Sequence, residues 1–326
     1  MTDRVVVTGA AGFIGSHACR ALLHAGWRVV GLDNFDPFYP RWLKELALRP
    51  LLVSPRFRFV EADVRDQGAL AGYLEGAVAV VHLAARAGVR ESLGQAAAYR
   101  SVNVGGTQAV LDACVRTGVR RLVYASSSSV YGSLALPFHE DAPLPLGTSP
   151  YAASKREGED LCRRFAEVVG LRVAILRFFS VYGPGQRPDQ ALHRFARLAA
   201  EGHPVPFYGD GSSERDYTYV SDAADAVVAA LRWTEAGEAG AEPFNIGTGR
   251  GTRLDRLVAL LAQALGVQPI PLRQRAHPAD AARTRADVTR ARRALGWVSR
   301  MEVEPGITEF VRWYEVVYGY EALAAS

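Results

Sequence analysis

Lysine and asparagine are almost missing from this chain. Two lysines, Lys44 and Lys155, stand against 36 arginines, and the asparagines are Asn34, Asn103 and Asn245 alone. Cysteine is scarce as well. Three, at 19, 114 and 162, are too few and too scattered for a disulfide scaffold or a thiolate metal site, so no metal is expected. Long apolar runs are lacking, and the greasiest stretch, 77–85, reaches about half of a membrane span. No block of like charge occurs, and the net charge is +4, which excludes the basic stripe of a nucleic-acid module. A mild positive bias suits a small anionic substrate. The first strand pattern begins at residue 4, which leaves no room for a signal peptide. These absences point to a cytoplasmic protein of a reducing compartment, with neither membrane nor nucleic-acid partners.

What remains is an ordinary globular composition, 326 residues with 49% hydrophobic and 22% charged, able to bury a core without staples. Against an arginine-rich background, a surviving lysine marks a position where arginine fails. Arginine cannot serve as a compact, tunable ammonium. Lys155 is singled out on this ground, whereas Lys44 is expected to have no special role.

The first half alternates short β-type runs at 4–8, 28–32, 56–61, 77–83, 121–125 and 172–177 with helical patterns at 13–25, 67–74, 99–117 and 149–169. Such alternation predicts a doubly wound parallel sheet of the Rossmann type, an α/β fold. After about residue 180 turns become frequent, and helices are expected at 190–201, 220–234, 254–265 and 304–318, with 235–241 a surface loop. The organisation predicted is a cofactor-binding domain over 1–180 and a smaller C-terminal α/β substrate lobe over 181–326. Parts near 215–248 are expected to pack back on the first domain.

T-G-A-A-G-F-I-G at 8–15 follows the first strand and opens the first helix. Gly9 permits the tight turn, Gly12 lets the backbone approach a pyrophosphate, and Gly15 lets helix and strand pack closely. Asp33 closes the second strand, 18 residues after Gly15. A carboxylate there accepts hydrogen bonds from the adenosine ribose and repels a 2′-phosphate, which favours NAD over NADP. Tyr151 and Lys155 stand at i and i+4 on one helix face, with Ser149 or Thr148 as cap. A nearby ammonium favours the phenolate of a tyrosine. The serine run 126–129 sits past the fifth strand, at the ligand-binding edge of such sheets, where a hydroxyl can relay a proton to Tyr151.

Together these residues resemble the extended short-chain dehydrogenase/reductase family, the nucleotide-sugar epimerases and dehydratases. The resemblance runs through D-V at 63–64, H-L-A-A at 82–85, Asn103, S-S-S-S-V-Y-G at 126–132, Y-x-x-x-K at 151–155, R-F-F-S-V-Y-G-P at 177–184, R-D-Y-T-Y-V at 215–220 and N-I-G at 245–247. It implies an NAD recycled within each turnover. Tyr151 would take the proton of the sugar 4-hydroxyl, Ser127 would relay it, and Lys155 would bind the nicotinamide ribose and tune Tyr151. Asp63 and Val64 would contact adenine, and Leu83, Ala84 and Ala85 would line the cofactor. The same resemblance adds Phe13, Ile14, Asn34, Asn103 and Phe178 to the cofactor contacts. Arg215 would meet the nucleotide pyrophosphate, Phe207 would join the sugar-nucleotide site, and Asn245 would be structural. It also implies a homodimer through the helices near 99–117 and 149–169.

D-N-F-D-P-F-Y at 33–39, A-G-V-R at 87–90 and G-Q-R-P-D-Q-A at 185–191 resemble the UDP-glucuronate 4-epimerases. Oxidising C4 of glucuronate creates a β-keto acid, so such an enzyme must restrain the carboxylate. Ser128, Ser129, Ser180 and Arg187 are the expected restraint, with Arg90 a further substrate contact. Family dehydratases carry an acidic residue where this chain has only serine. A UDP-glucose or UDP-N-acetylglucosamine 4-epimerase is the alternative substrate reading. A dehydratase or reductase, or a non-catalytic NAD-binding regulator, is the alternative from another class. One departure from the family pattern is P-A-D at 278–280.

Overall fold

The computed structural model of the chain describes residues 3–275 and 281–319; the 278–280 departure lies outside the described residues. In the first half, strands β1 (Arg4–Thr8), β2 (Arg28–Asp33), β3 (Phe57–Glu61), β4 (Ala79–His82), β5 (Arg121–Ser127) and β6 (Arg172–Phe178) alternate with helices α1 (Phe13–His24), α2 (Arg41–Leu52), α3 (Gln67–Leu74), α4 (Val89–Ser92), α5 (Ala96–Arg100), α6 (Gly106–Thr117) and α7 (Pro150–Val169). The second half contributes β7 (Ser180–Tyr182), α8 (Ala191–Ala200), β8 (Val205–Tyr208), β9 (Glu214–Arg215), β10 (Tyr217–Tyr219), α9 (Val220–Trp233), β11 (Gly240–Ile246), β12 (Thr252–Arg253), α10 (Leu254–Leu265), β13 (Pro271–Gln274) and α11 (Val303–Tyr318).

Seven strands form one parallel sheet in the order β11-β6-β5-β4-β1-β2-β3. Both faces are covered, and the strand sequences show why. Along β1, Val5 and Val7 enter the core under α1, α2 and α9, while Val6 enters the core under α3, α6 and α7. β6 repeats the division with Ala174 and Leu176 on one face and Val173 and Ile175 on the other. Alternate side chains point to opposite faces, so a strand buried on both must be apolar throughout. The chain leaves β1 and β4 in opposite directions. That reversal opens a crevice at their carboxyl ends. A third core joins α8, α10 and α11 into the smaller lobe.

Three features depart from the sequence reading. The helix expected over 99–117 begins at Ala96 and is interrupted by a π-helical turn, Ser101–Gly105, that carries Asn103. The loop expected over 235–241 ends early, because Gly240 and Ala241 already belong to β11. β11 contains Pro243 and, among the described residues, pairs with β6 alone, the edge position at which a strand tolerates proline. Helix α2 was not foreseen either: Lys44 sits on its buried face beside Leu43, Leu48 and Leu51, which breaks the apolar periodicity, and Pro50 lies in its last turn.

Candidate active site

The crevice at the carboxyl edge of the sheet is a cleft of about 640 Å³. Gly9 turns the chain at φ +72°, and a Cβ there would meet the backbone nitrogen of Ala84 at 2.7 Å. A Cβ on Gly15 would fall 1.9 Å from the Gly9 carbonyl oxygen, so helix α1 can seat this close only on glycine. Gly12 caps α1 with no side chain in the way, and Gly9, Gly12, Phe13, Ile14 and Gly15 all face the cleft. His82 fixes the neighbouring strand end. Burial pushes it down to about 3, and the neutral ring hydrogen-bonds Thr8 Oγ1 at 2.7 Å and Thr107 Oγ1 at 3.1 Å.

Asp33 ends β2 with Oδ2 accepting from the Ala11 amide at 3.2 Å and Oδ1 from the Phe35 amide at 2.8 Å. Lys44 overturns its expected idleness. It is 5% exposed, with Nζ 3.7 Å from Asp33 Oδ1, donating to the Asp36 carbonyl at 3.0 Å and lying over the Tyr39 ring. Its scarcity was the available signal. Asp63 accepts from Asn34 Nδ2 at 2.9 Å, and the Arg65 fork beside it holds its carboxyl well below the usual range. Val64, Leu83, Ala84, Ala85 and Phe178 line the cleft as well. Asn103 does not face it. Its amide is spent on the Arg86 backbone N–H and C=O and on Ser154 Oγ, so it shapes the loop after β4 and ties it to α7.

Helix α7 starts with Ser149 Oγ accepting from the Ala152 amide at 3.1 Å and with Pro150 in its first turn. This start brings Tyr151 and Lys155 to the cleft wall. Burial pushes the Tyr151 phenol up; the Ser127 hydroxyl and the Arg187 guanidinium beside it act the other way. Arg187 is thus a cation bearing on the phenol that the sequence reading did not assign to that task. Lys155 is buried, and burial pushes its ammonium down to about 8. It donates to the Ala125 carbonyl at 2.7 Å and lies 5.3 Å from the Tyr124 ring centroid. Tyr99, which the sequence reading missed, packs edge-on against the Tyr151 ring and donates to the Ala87 carbonyl at 3.1 Å.

The four serines divide their work. Ser127 Oγ accepts from the Ser129 amide and starts a tight turn, so Ser127, Ser128 and Ser129 line the cleft. Ser129 Oγ is buried without a hydrogen-bond partner among the described residues. Ser126 also reaches the wall, but its hydroxyl donates inward to Glu159 Oε1 at 2.6 Å. Burial pushes Glu159 up, and the Arg177 fork at 2.9 and 2.7 Å outweighs it and holds the carboxyl low. Arg177 donates onward to Tyr131, whose hydroxyl donates to Asn245, so α7, β5, β6 and β11 are cross-tied beneath the site.

At the other end, Ser180, Arg90, Arg187 and Arg215 line the same cleft. Arg187 donates from Nε and Nη2 to the two oxygens of Asp189, at 2.9 and 2.7 Å. Arg215 donates from Nη1 to the Glu214 carbonyl at 2.9 Å. Phe207 falls outside the wall: it is on β8 and packs against the core of the smaller lobe. Phe38 and Tyr39 from the 33–39 stretch and Gln186 and Asp189 from the 185–191 stretch line the wall as well, though neither stretch had assigned them a role of their own.

An adenine dinucleotide fits these groups. The glycine turn leaves a cradle where a Cβ on Gly12 would crowd the Gly9 carbonyl at 3.1 Å. Buried Lys155 has three donors and one protein acceptor, the Ala125 carbonyl, among the described residues. No group of His, Cys, Asp and Glu among the described residues could hold a metal ion.

The comparisons agree with this arrangement. UDP-glucuronate 4-epimerase of Thermodesulfobacterium geofontis is 36% identical over 311 residues, covering 94% of this chain and 95% of that protein. The crystal structure of UDP-glucuronic acid 4-epimerase from Bacillus cereus, in complex with UDP-glucuronic acid and NAD, superposes with a TM-score of 0.91 at 34% identity, covering 97% of this chain and all of that one. MoeE5 in complex with UDP-glucose and NAD gives a TM-score of 0.85 at 37% identity, covering 97% and 99%. The model of the NAD dependent epimerase/dehydratase family matches residues 5–247. With the glycine turn, the Tyr151–Lys155 helix and these relatives in agreement, the chain belongs to the NAD dependent epimerase/dehydratase family.

Proposed function

We propose that this enzyme is an NAD-dependent UDP-sugar 4-epimerase that interconverts UDP-glucuronate and UDP-galacturonate through a transient 4-keto sugar. The observation that carries the reading is a single cleft wall. On it Tyr151 and Ser127 stand beside Ser128, Ser129, Ser180 and Arg187, with no carboxylate in the 126–129 stretch. Bound NAD supplies a reversible acceptor for the C4 hydride. The amides of Gly12–Gly15, Asp33 and Lys155 would hold it. Asp33 at the end of β2 sets the preference for a free ribose 2′-hydroxyl over a phosphate.

Tyr151 takes the 4-hydroxyl proton and returns it, and Ser127 orients that hydroxyl. The charge of Arg187 favours the phenolate that does this work. Ser129 Oγ, buried and unpartnered, offers a donor to a sugar oxygen. Ser128, Ser180 and Arg187 hold the C6 carboxylate away from the alignment in which a β-keto acid loses carbon dioxide. A dehydratase would need an acid or base beside C5 and C6, and the serine stretch supplies none. Retention of both Tyr151 and Lys155 favours a working enzyme over a non-catalytic regulator.

A cytoplasmic homodimer completes the proposal. Three buried free cysteines suit a reducing compartment, and α6 and α7 present Val115 and Val168 outward. No helix among the described residues is long and apolar enough to cross a membrane.

The test is to incubate the purified protein with UDP-glucuronate or UDP-glucose and follow the anomeric protons by NMR. UDP-galacturonate is the expected product, with slower conversion of UDP-glucose. UDP-galactose alone would discard the carboxylate site and leave the Tyr151 chemistry standing.

A further inference from the structure

Arg187 already has a carboxylate of its own. Both Asp189 oxygens are taken in a bidentate fork at 2.9 and 2.7 Å, and Nη2 also reaches the Ala87 carbonyl at 3.3 Å. The guanidinium carbon lies 5.5 Å from the Phe38 ring centroid. The two side chains are only 14% and 20% exposed, and both face the cleft. Nη1 alone has no acceptor among the described residues.

We propose that Asp189 is a specificity-determining residue: a built-in rival of the substrate carboxylate for Arg187, which sets how far the cleft accepts neutral sugars. This rests on the reading that Arg187 meets the C6 substituent. A buried guanidinium without a partner is costly. If Arg187 stood alone, a sugar ending in a hydroxymethyl group would seal in an uncompensated cation, and the site would reject it. Asp189 makes the pair neutral, so a hydroxymethyl sugar leaves nothing unmatched. The same pairing weakens the pull on a substrate carboxylate, which meets a neutral ion pair and the one remaining nitrogen, Nη1. Asp189 touches neither reacting atoms nor sugar in this account. It acts through Arg187, and its signature is a ratio between two substrates rather than a general loss.

The experiment measures kcat/KM for UDP-glucuronate and UDP-glucose in the wild type, Asp189→Asn, Arg187→Gln and the double variant. Asp189→Asn keeps shape and removes charge, and it is expected to raise the glucuronate-to-glucose ratio about tenfold. Its KM for UDP-glucuronate falls, and any change in kcat through the Arg187 charge that bears on Tyr151 is common to both sugars and cancels in the ratio. Arg187→Gln lowers the ratio, and the double variant matches Arg187→Gln because the rivalry has lost its object. An Asp189→Asn ratio that stays put or falls, with Arg187→Gln still lowering it, overturns the rivalry and leaves Asp189 as a mere orienting group. A ratio unmoved by Arg187→Gln removes the carboxylate reading itself. Should Asp189→Asn turn over neither sugar, equilibrium titration with each nucleotide sugar reads the same ratio without chemistry, and loss of binding to both overturns the proposal.

Discussion

Burying an ammonium costs free energy, and burial outweighs the opposing charge of Glu159 at Lys155. Its value falls from 10.5 to about 8, because burial disfavours the charged form. Between pH 8 and the ordinary lysine range the unfolded chain binds a proton that the folded chain has released. Stability contributed by this residue therefore rises with pH across that window, and at neutral pH the penalty stands in full at about 3 kcal/mol. Lys155→Met is accordingly expected to melt at a higher temperature at pH 7 than the wild type while losing nearly all turnover. A melting curve and the NMR assay check the two halves of that statement. An unchanged or lowered melting temperature would show that Lys155 is better satisfied than its surroundings indicate. Rarity in the sequence drew notice to Lys155 and passed over Lys44, yet both are buried at the cleft wall. Only the fold shows that Lys44 lies on the inner face of α2, against Asp33. The place of Asn103 in the pattern was readable, but its bonds to the Arg86 backbone depend on a π-helical turn that no local signal announces.

The glycine turn was legible because its tightest demand, a Cβ of Gly15 or Gly12 against the Gly9 carbonyl, lies within a dozen residues, whereas the approach of Gly9 to Ala84 across the sheet was not. The tightness of the turn makes a paired test. Gly15→Ala places a methyl 1.9 Å from the Gly9 carbonyl and must open the turn, at about 1–3 kcal/mol and with most of the affinity for NAD. Gly72→Ala in α3 meets nothing within 4 Å and is expected to gain up to about 1 kcal/mol, with NAD binding intact. Thermal unfolding with and without NAD separates the two, and equal behaviour would contradict the close seating of α1 on the Gly9 carbonyl. The strands with unbroken β-branched runs were legible in the same local way. β11 was not, since Gly240 and Pro243 are poor strand formers and its place is dictated by β6 across the chain.

Across the whole molecule the boundary near 180 divides the chain by texture. The sheet disregards it. α9 and β11, drawn from the later half, cover one face of the sheet and complete its edge. A fragment of residues 1–180 is therefore expected to be insoluble or molten, because Arg172–Phe178 would be an uncovered edge strand with the apolar run Val173–Leu176 at its centre. Light scattering and near-ultraviolet circular dichroism check this, and a monomeric, well-ordered fragment would refute it. The same connectivity orders events during synthesis. The cofactor turn, the serines and the Tyr151 helix all leave the ribosome while the outer neighbour of β6 is still unmade. Residues 240–246 close the sheet only when three-quarters of the chain has emerged, and none of them lines the cleft. The nascent catalytic half must wait, exposed to premature pairing, for a segment that takes no part in the chemistry.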